Sequence, residues 1–269
     1  MTSGLAIATG ADAKYFPLLE RCVTSVRARA PADLPLYVFD LGLEPAQRRA
    51  METLATRVIE PGWDIEFPGR DAMPGYFRAL TLRPFLPRHL PGHRVYMWLD
   101  ADVFLQEGEV LALYVRAAEG GRIAIVPELD RSYRNLFHAY DEFQGVIRES
   151  YRETFDAATA EELVRLPLLN SGVFALEAEA PHWRAWAETL GTALHRTRHS
   201  LVEQTSLNYV VYKLGLPAHF LPARCNWICH HAAPLWDAAR KLYTEPLLPY
   251  APLAIVHRTM WTKDMAPPA

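Results

Sequence analysis

Residues 96–104, YMWLDADVF, carry two carboxylates one residue apart at the end of an apolar run. If the chain stays extended there, alternation puts Asp100 and Asp102 on the same side, and open α/β sheets place ligands at that edge. Two anionic oxygens on one side suit a hard divalent cation such as Mg²⁺ or Mn²⁺, which could in turn neutralise a diphosphate. The alternative is that both aspartates cap a turn and the helix after it. A second group, Cys225, Cys229, His230 and His231, consists of metal-ligand types. Its adjacent histidines and three-residue cysteine gap match no structural zinc spacing, so the cysteines read better as core residues.

The elements around these residues alternate. Leu5 to Thr9 is a compact apolar run closed by Gly10, and helical spacing follows from Tyr15 to Ala30. Leu36 to Phe39 reads as a strand, Pro45 to Leu54 as a helix with proline in its first turn, and Arg57 to Glu60 as a third strand. After proline-broken pieces between Met73 and Pro91, Val95 to Leu99 is the most hydrophobic strand candidate. Val110 to Ala118 predicts a helix, Ile123 to Val126 and Asn170 to Leu176 predict strands, and Asp130 to Arg165 reads as polar, aromatic, helical and looped. Trp183, Trp186, Leu190 and Leu194 lie on one stripe of a helix over Pro181 to Arg198. Ser200 and Glu203 have capping-box spacing before a helix over Leu201 to Leu214, with Gly215 at its end. Such alternation argues for a parallel, doubly wound sheet.

Composition bounds what this chain can be. Its 269 residues are 50% hydrophobic and 22% charged, a globular balance rather than a disordered or fibrous one. A formal net charge of −3 provides no global positive field, so nucleic acid is not an expected partner. Three cysteines are too few for a disulfide scaffold, the N-terminus lacks signal-peptide regions, and no apolar run reaches eighteen residues. The expectation is a cytoplasmic protein without a transmembrane segment, at most peripheral to the membrane.

Five separated landmarks, in order, resemble the GT-A nucleotide-sugar glycosyltransferases, most closely retaining glycosyltransferase family 8. LAIATGADAKY (5–15) resembles the family's opening strand, acidic turn and tyrosine; LDADVF (99–104) its DxD motif; LNSGVFAL (169–176) its Asn-Ser/Ala-Gly strand. VEQTSLN (202–208) resembles the segment beneath the reacting sugar, and IVHRTMWTK (255–263) the C-terminal His-to-Lys loop. The resemblance spans residues 4–264 but is confined to motifs. This chain has Met260 where the family usually has glycine and Asp264 where it has proline after the lysine, so the loop closes differently over the donor.

The resemblance implies a mixed, mostly parallel GT-A sheet flanked by helices, with the DxD at the end of a central strand. It implies one domain over 1–269, residues 1–130 forming the nucleotide-sugar half and 131–269 the acceptor half with a metal and diphosphate loop. By residue, Asp12 and Tyr15 would contact base and ribose, with Thr9 and Lys14 nearby. Asp100 and Asp102 would hold Mn²⁺ or Mg²⁺ and the ribose, with Ala101 between them also at the donor, and His257 would complete the metal shell. Asn170 and Ser171 would line the sugar pocket, with Gly172 allowing close backbone approach. Gln204 would lie under the sugar, Lys263 on the diphosphate, and Arg83, rather than Arg78, near donor phosphate or sugar. Glu128 and Asp130 could accept sugar hydroxyls.

Plainer roles compete for several of these positions. His257 could be a satisfied core histidine, and Arg83 or Lys263 a solvated surface charge. Lys263 gains weight as one of only four lysines, since a compact ammonium suits a phosphate oxygen. Glu203 reads as the capping-box residue, leaving Gln204 freer to face a cleft. The activity implied is metal-dependent transfer of a sugar from a UDP-sugar to a glycan, lipid-linked or small-molecule acceptor hydroxyl, with retention. The alternatives are a sugar-nucleotide-binding protein without catalysis and a haloacid-dehalogenase-like phosphohydrolase. The latter's Asp-x-Asp normally opens the chain, and Phe104 stands where threonine or valine belongs.

Overall fold

The structure, a computed structural model, describes residues 2–134 and 140–264. A seven-stranded sheet forms its centre. The first three strands, β1 (Leu5–Ala11), β2 (Leu36–Asp40) and β3 (Arg57–Ile59), alternate with α1 (Phe16–Arg29) and α2 (Pro45–Leu54). Two short helices, α3 (Phe77–Leu82) and α4 (Leu86–His89), then lead into β4 (Val95–Leu99). After β5 (Val103–Leu105) and α5 (Glu109–Ala118) come β6 (Ile123–Pro127), α6 (Tyr140–Thr154), α7 (Ala157–Leu163) and β7 (Leu169–Glu177). The helices α8 (His182–Leu194) and α9 (Val202–Tyr212) precede β8 (Ala218–Phe220). The remaining strands are β9 (Trp227–Ile228), β10 (Leu235–Asp237), β11 (Leu242–Thr244) and β12 (Ile255–His257).

The sheet runs β3-β2-β1-β4-β7-β6-β8. It is mostly parallel, with β7 antiparallel to both β4 and β6, which is the mixed sheet that the resemblance implies; alternation alone argues for a parallel sheet and does not reveal the direction of β7. The reason is that a strand buried on both faces reads as the same apolar run in either direction. One hydrophobic layer packs α1, α2 and α5 on one face, including Leu19, Val23, Val26, Met51 and Leu111. The other packs Trp183, Trp186, Leu190 and Leu194 of α8 with Phe77 and Leu82 against Trp98 and Phe174. The stripe expected on α8 therefore does face the core.

Two features aim the sheet at one point. Pairing of β6 with β7 shifts register after Ile125↔Phe174, so that Val126 opposes Asn170 and residues 171–173 bulge out of the ladder; bulges of this kind re-aim side chains next to sites. A second, three-stranded sheet, β5-β12-β9, brings the C-terminal strand beside the turn after β4. Among the described residues no helix is long and apolar enough to cross a membrane.

Candidate active site

At the C-terminal end of β4 the chain does not stay extended. Val103 N–H donates to Asp100 O at 3.1 Å, closing a turn through Ala101 and Asp102. That turn, rather than strand alternation, places both carboxylates against His257: Nε2 lies 3.1 Å from Asp102 Oδ1 and 3.9 Å from Asp100 Oδ2. The three residues offer ligand atoms within 4.8 Å of one another. Arg258 N–H donates to Asp102 O at 2.9 Å, which ties β12 to the turn. This donor set, two carboxylates and one imidazole, fits a divalent cation such as Mn²⁺ or Mg²⁺.

Gly172 makes the convergence possible. A Cβ there would sit 2.5 Å from His257 Cε1, 2.7 Å from Asp100 Oδ2 and 2.9 Å from Asn170 Oδ1. The close approach at Gly172 is to these three side chains of the protein itself.

The electrostatics follow from burial and pairing. Burial alone would push the Asp102 carboxyl up, but His257 and Lys263 outweigh it and hold it at about 2. Lys263 Nζ is 3.2 Å from Asp102 Oδ2 and 4.5 Å from the centre of the Tyr15 ring. The opening motif and the C-terminal loop, 248 positions apart in the numbering (263 − 15), thus meet at one cation. Burial opposes protonation of His257 and Lys263, yet the aspartates raise both above their ordinary values.

Behind Asp100 lies an ion pair that the sequence reading missed. Arg83, only 5% exposed, donates to Asp100 Oδ1 and, at 2.6 Å, to Glu203 Oε2; its guanidinium stacks 5.0 Å from the Trp98 ring centre. Trp98 Nε1 also donates to Asp100 Oδ1, at 2.7 Å. Arg83 is therefore neither a surface charge nor a group on the cleft wall, since it is spent on two carboxylates. Glu203 makes no capping box: α9 begins after Leu201 without a side-chain cap. Burial pushes Glu203 up to about 7, with Arg83 and Ser171 opposing. A buried carboxylate needs a cation more than a helix end needs a cap, since an unpaired buried charge is the costlier defect.

The other expected residues do not all meet in one place. Asn170, Gln204, Glu128, His257, Lys263, Asp100 and Asp102 line one cleft of about 720 Å³. Ser171 is buried behind it and donates through Oγ to Glu203 Oε2 at 2.9 Å, while its N–H donates to Gln204 Oε1 at 3.1 Å. Asp12 accepts from Tyr15 N–H at 3.2 Å, capping the one-turn helix that carries the tyrosine, and Lys14 lies exposed over the Tyr15 ring.

Thr9, fully buried in β1, cannot touch a nucleotide. Arg78 ties loops together by donating to Pro61 O and Leu41 O. Asp130 accepts from Ser132 N–H in a local turn, whereas Glu128 is held by Asn170 and His231 at 2.7 and 2.8 Å. Cys225 and Cys229 are buried core residues, and His230 and His231 group with Glu128 instead of with them. Within the aromatic stretch Tyr133 to Tyr151, residues 135–139 lie outside the described residues; Phe143 is on the cleft wall and Tyr151 is buried. Asn226 is a further residue missed in the sequence. It is wholly buried, with Oδ1 2.9 Å from His257 Nδ1, and belongs to no motif.

No protein-family model matches the sequence, and no curated protein matches it. Solved structures do. An active-site mutant of LgtC is 16% identical, with 94% of this chain and 86% of that one covered at a TM-score of 0.57. The galactosyltransferase LgtC in complex with donor and acceptor sugar analogues is 17% identical over the same shares, at 0.56. Mouse xyloside xylosyltransferase 1 is 16% identical, with 94% and 97% covered, at 0.54. At this level of identity the likeness is one of fold, and the fold is that of the GT-A glycosyltransferases.

Proposed function

We propose that the protein is a metal-dependent glycosyltransferase that moves a sugar from a UDP-sugar to an acceptor hydroxyl with retention of anomeric configuration. The observation that carries this reading is the convergence of Asp100, Asp102, His257 and Lys263 at the end of β4, beside Asn170 and Gln204 in one cleft. A divalent cation bound by Asp100, Asp102 and His257 would neutralise the charge that grows on the departing diphosphate.

The protein's own groups supply the rest. Lys263 is poised to turn its ammonium from Asp102 to a phosphate oxygen, 4.5 Å above a tyrosine ring that would hold the nucleoside. UDP is the nucleotide implied by the resemblance of the Asp12 and Tyr15 turn and of the His257-to-Lys263 spacing to those of UDP-sugar enzymes. Gln204 would lie beneath the sugar. Its Oε1 accepts from Ser171 N–H, whereas the Ser171 hydroxyl proton goes to the nearer Glu203 oxygen, at 2.9 Å rather than 3.3 Å. One lone pair of Gln204 Oε1 is therefore left to stabilise positive charge developing at the anomeric carbon. Apolar Phe143, Ile147 and Leu168, which also line the cleft, would exclude water from the transfer.

The test is calorimetry and thermal-shift profiling against a panel of nucleotide sugars with and without Mn²⁺, on the protein and its Asp100→Asn variant. Mn²⁺-dependent binding of a UDP-sugar that the variant loses, together with UDP release in the presence of acceptor, is the expected result. Binding without turnover would leave a sugar-nucleotide-binding protein, and a preference for GDP or CDP would refute the UDP assignment.

A further inference from the structure

A line of buried, hydrogen-bonded side chains links His257 to His231; four of its five members line the cleft and Asn226 does not. Asn226 Oδ1 is 2.9 Å from His257 Nδ1, and Asn226 Nδ2 donates to Asn170 Oδ1 at 2.9 Å. Asn170 Nδ2 donates to Glu128 Oε1 at 2.7 Å, and His231 Nε2 lies 2.8 Å from Glu128 Oε2. All five residues are buried, Glu128 and Asn170 being the most exposed at 7%. In such a setting each polar atom keeps the partner it has, because losing one leaves a desolvated group unpaired.

The direction of every bond in this line is forced from its ends. His231 and Asn170 hold the Glu128 carboxyl below its ordinary range against the effect of burial, and an ionised carboxylate only accepts. Asn170 must therefore turn its NH₂ to Glu128. A second constraint agrees: Gly172 N–H, which can only donate, meets Asn170 Oδ1 at 3.0 Å. With Asn170 Oδ1 facing Asn226, Asn226 must present its own NH₂ there, since two amide oxygens 2.9 Å apart would repel. Its carbonyl oxygen then faces the imidazole, and a carbonyl only accepts.

We propose that Asn226, oriented through Asn170 by Glu128, is a positioning residue for His257: it obliges the ring to keep a proton on Nδ1 and to direct Nε2 at Asp100 and Asp102. The inference rests on the reading of those two aspartates and His257 as cation ligands. Outer partners of this kind fix the tautomer and ring angle of a ligating histidine, and their loss costs about 10–100-fold in metal affinity. Nε2, 3.1 Å from Asp102 Oδ1, is the nitrogen left to face the ion.

The experiment uses the full chain labelled with ¹⁵N-histidine. Long-range ¹H–¹⁵N spectra, recorded with EDTA and then with Mg²⁺, report which His257 nitrogen carries a proton. Mn²⁺ affinity is measured by calorimetry for the wild type, Asn226→Ala, Glu128→Ala and Asp102→Asn, with melting temperatures alongside. A protonated Nδ1 in both wild-type spectra is expected, with a weakening of Mn²⁺ binding by about 10–100-fold in Asn226→Ala and a smaller loss in Glu128→Ala. A wild-type ring without a proton on Nδ1 overturns the inference whatever the metal does, and so does a folded Asn226→Ala that binds Mn²⁺ as the wild type does while Asp102→Asn has lost that binding. Failure of the ligand reading looks different: Mn²⁺ affinity would be absent, or unchanged in Asp102→Asn, while Nδ1 stayed protonated.

Discussion

Replacing Gly172 by alanine adds one methyl group at the narrowest point of the site. The backbone there is not in the left-handed region, so the substitution carries no conformational penalty and its effect is steric. The new carbon would meet His257 Cε1 at 2.5 Å, Asp100 Oδ2 at 2.7 Å and Asn170 Oδ1 at 2.9 Å. None of these can retreat freely. His257 is held by Asn226 and Asp102, Asp100 by Trp98 and Arg83, and Asn170 by Glu128, Asn226 and Gly172 itself.

Overpacking of this kind costs about 1–3 kcal/mol, and the relief route decides where the cost is read. A shift of β7 lowers stability; a shift of His257 and Asp100 weakens cation binding, by about 5- to 150-fold for the same energy at 1.4 kcal/mol per decade. Urea unfolding and Mn²⁺ calorimetry on Gly172→Ala together capture both routes. Gly62→Ala is the control, because a Cβ there meets nothing within 4 Å, and it should stay within about 0.5 kcal/mol of wild type. Wild-type stability together with wild-type Mn²⁺ affinity in Gly172→Ala would refute the reasoning.

Three other outcomes follow from the same geometry. Arg83→Met leaves Glu203 and Asp100 without their shared cation and should destabilise the fold by about 3–5 kcal/mol in urea unfolding; Arg83→Met with Glu203→Leu should recover part of that loss, and equal stabilities for the two variants would count against a buried ion pair. Asp102 is held at about 2 against an ordinary 3.8, and a depressed carboxyl stabilises above its unfolded pKa and loses that contribution as pH falls through its folded one. With EDTA present, about 2 kcal/mol should therefore disappear between roughly pH 4 and pH 2, and Asp102→Asn should flatten that limb of a stability-against-pH curve. Lys263→Ala removes a side chain that packs on Tyr15 rather than in the core, so UDP release should slow by the equivalent of about 1–3 kcal/mol, with melting temperature falling only by the share of the Asp102 pairing that Lys263 supplies; unchanged turnover would show that the lysine serves Asp102 alone.

Local order was legible in the chain itself. Pro45–Leu54 and Val95–Leu99 form with the boundaries that periodicity predicts, because helix and strand patterns are sums over neighbours a few residues apart. The aspartate pair after β4 was legible for the same reason. Tertiary structure decided the direction of β7, which apolar content cannot encode, and the turn at Ala101 that brings the two carboxylates together. It also decided the fate of Glu203. Ser200 and Glu203 satisfy the spacing of a cap, but 120 positions away Arg83 competes for the same carboxylate, and desolvation makes that partner the stronger claim. Asn226 carries no spacing signal at all, since its role depends on where β9, β12 and the bulge of β7 come together. A pattern along the chain records which groups are near in sequence, whereas a buried polar group is satisfied by whatever the fold sets beside it within 3 Å or so.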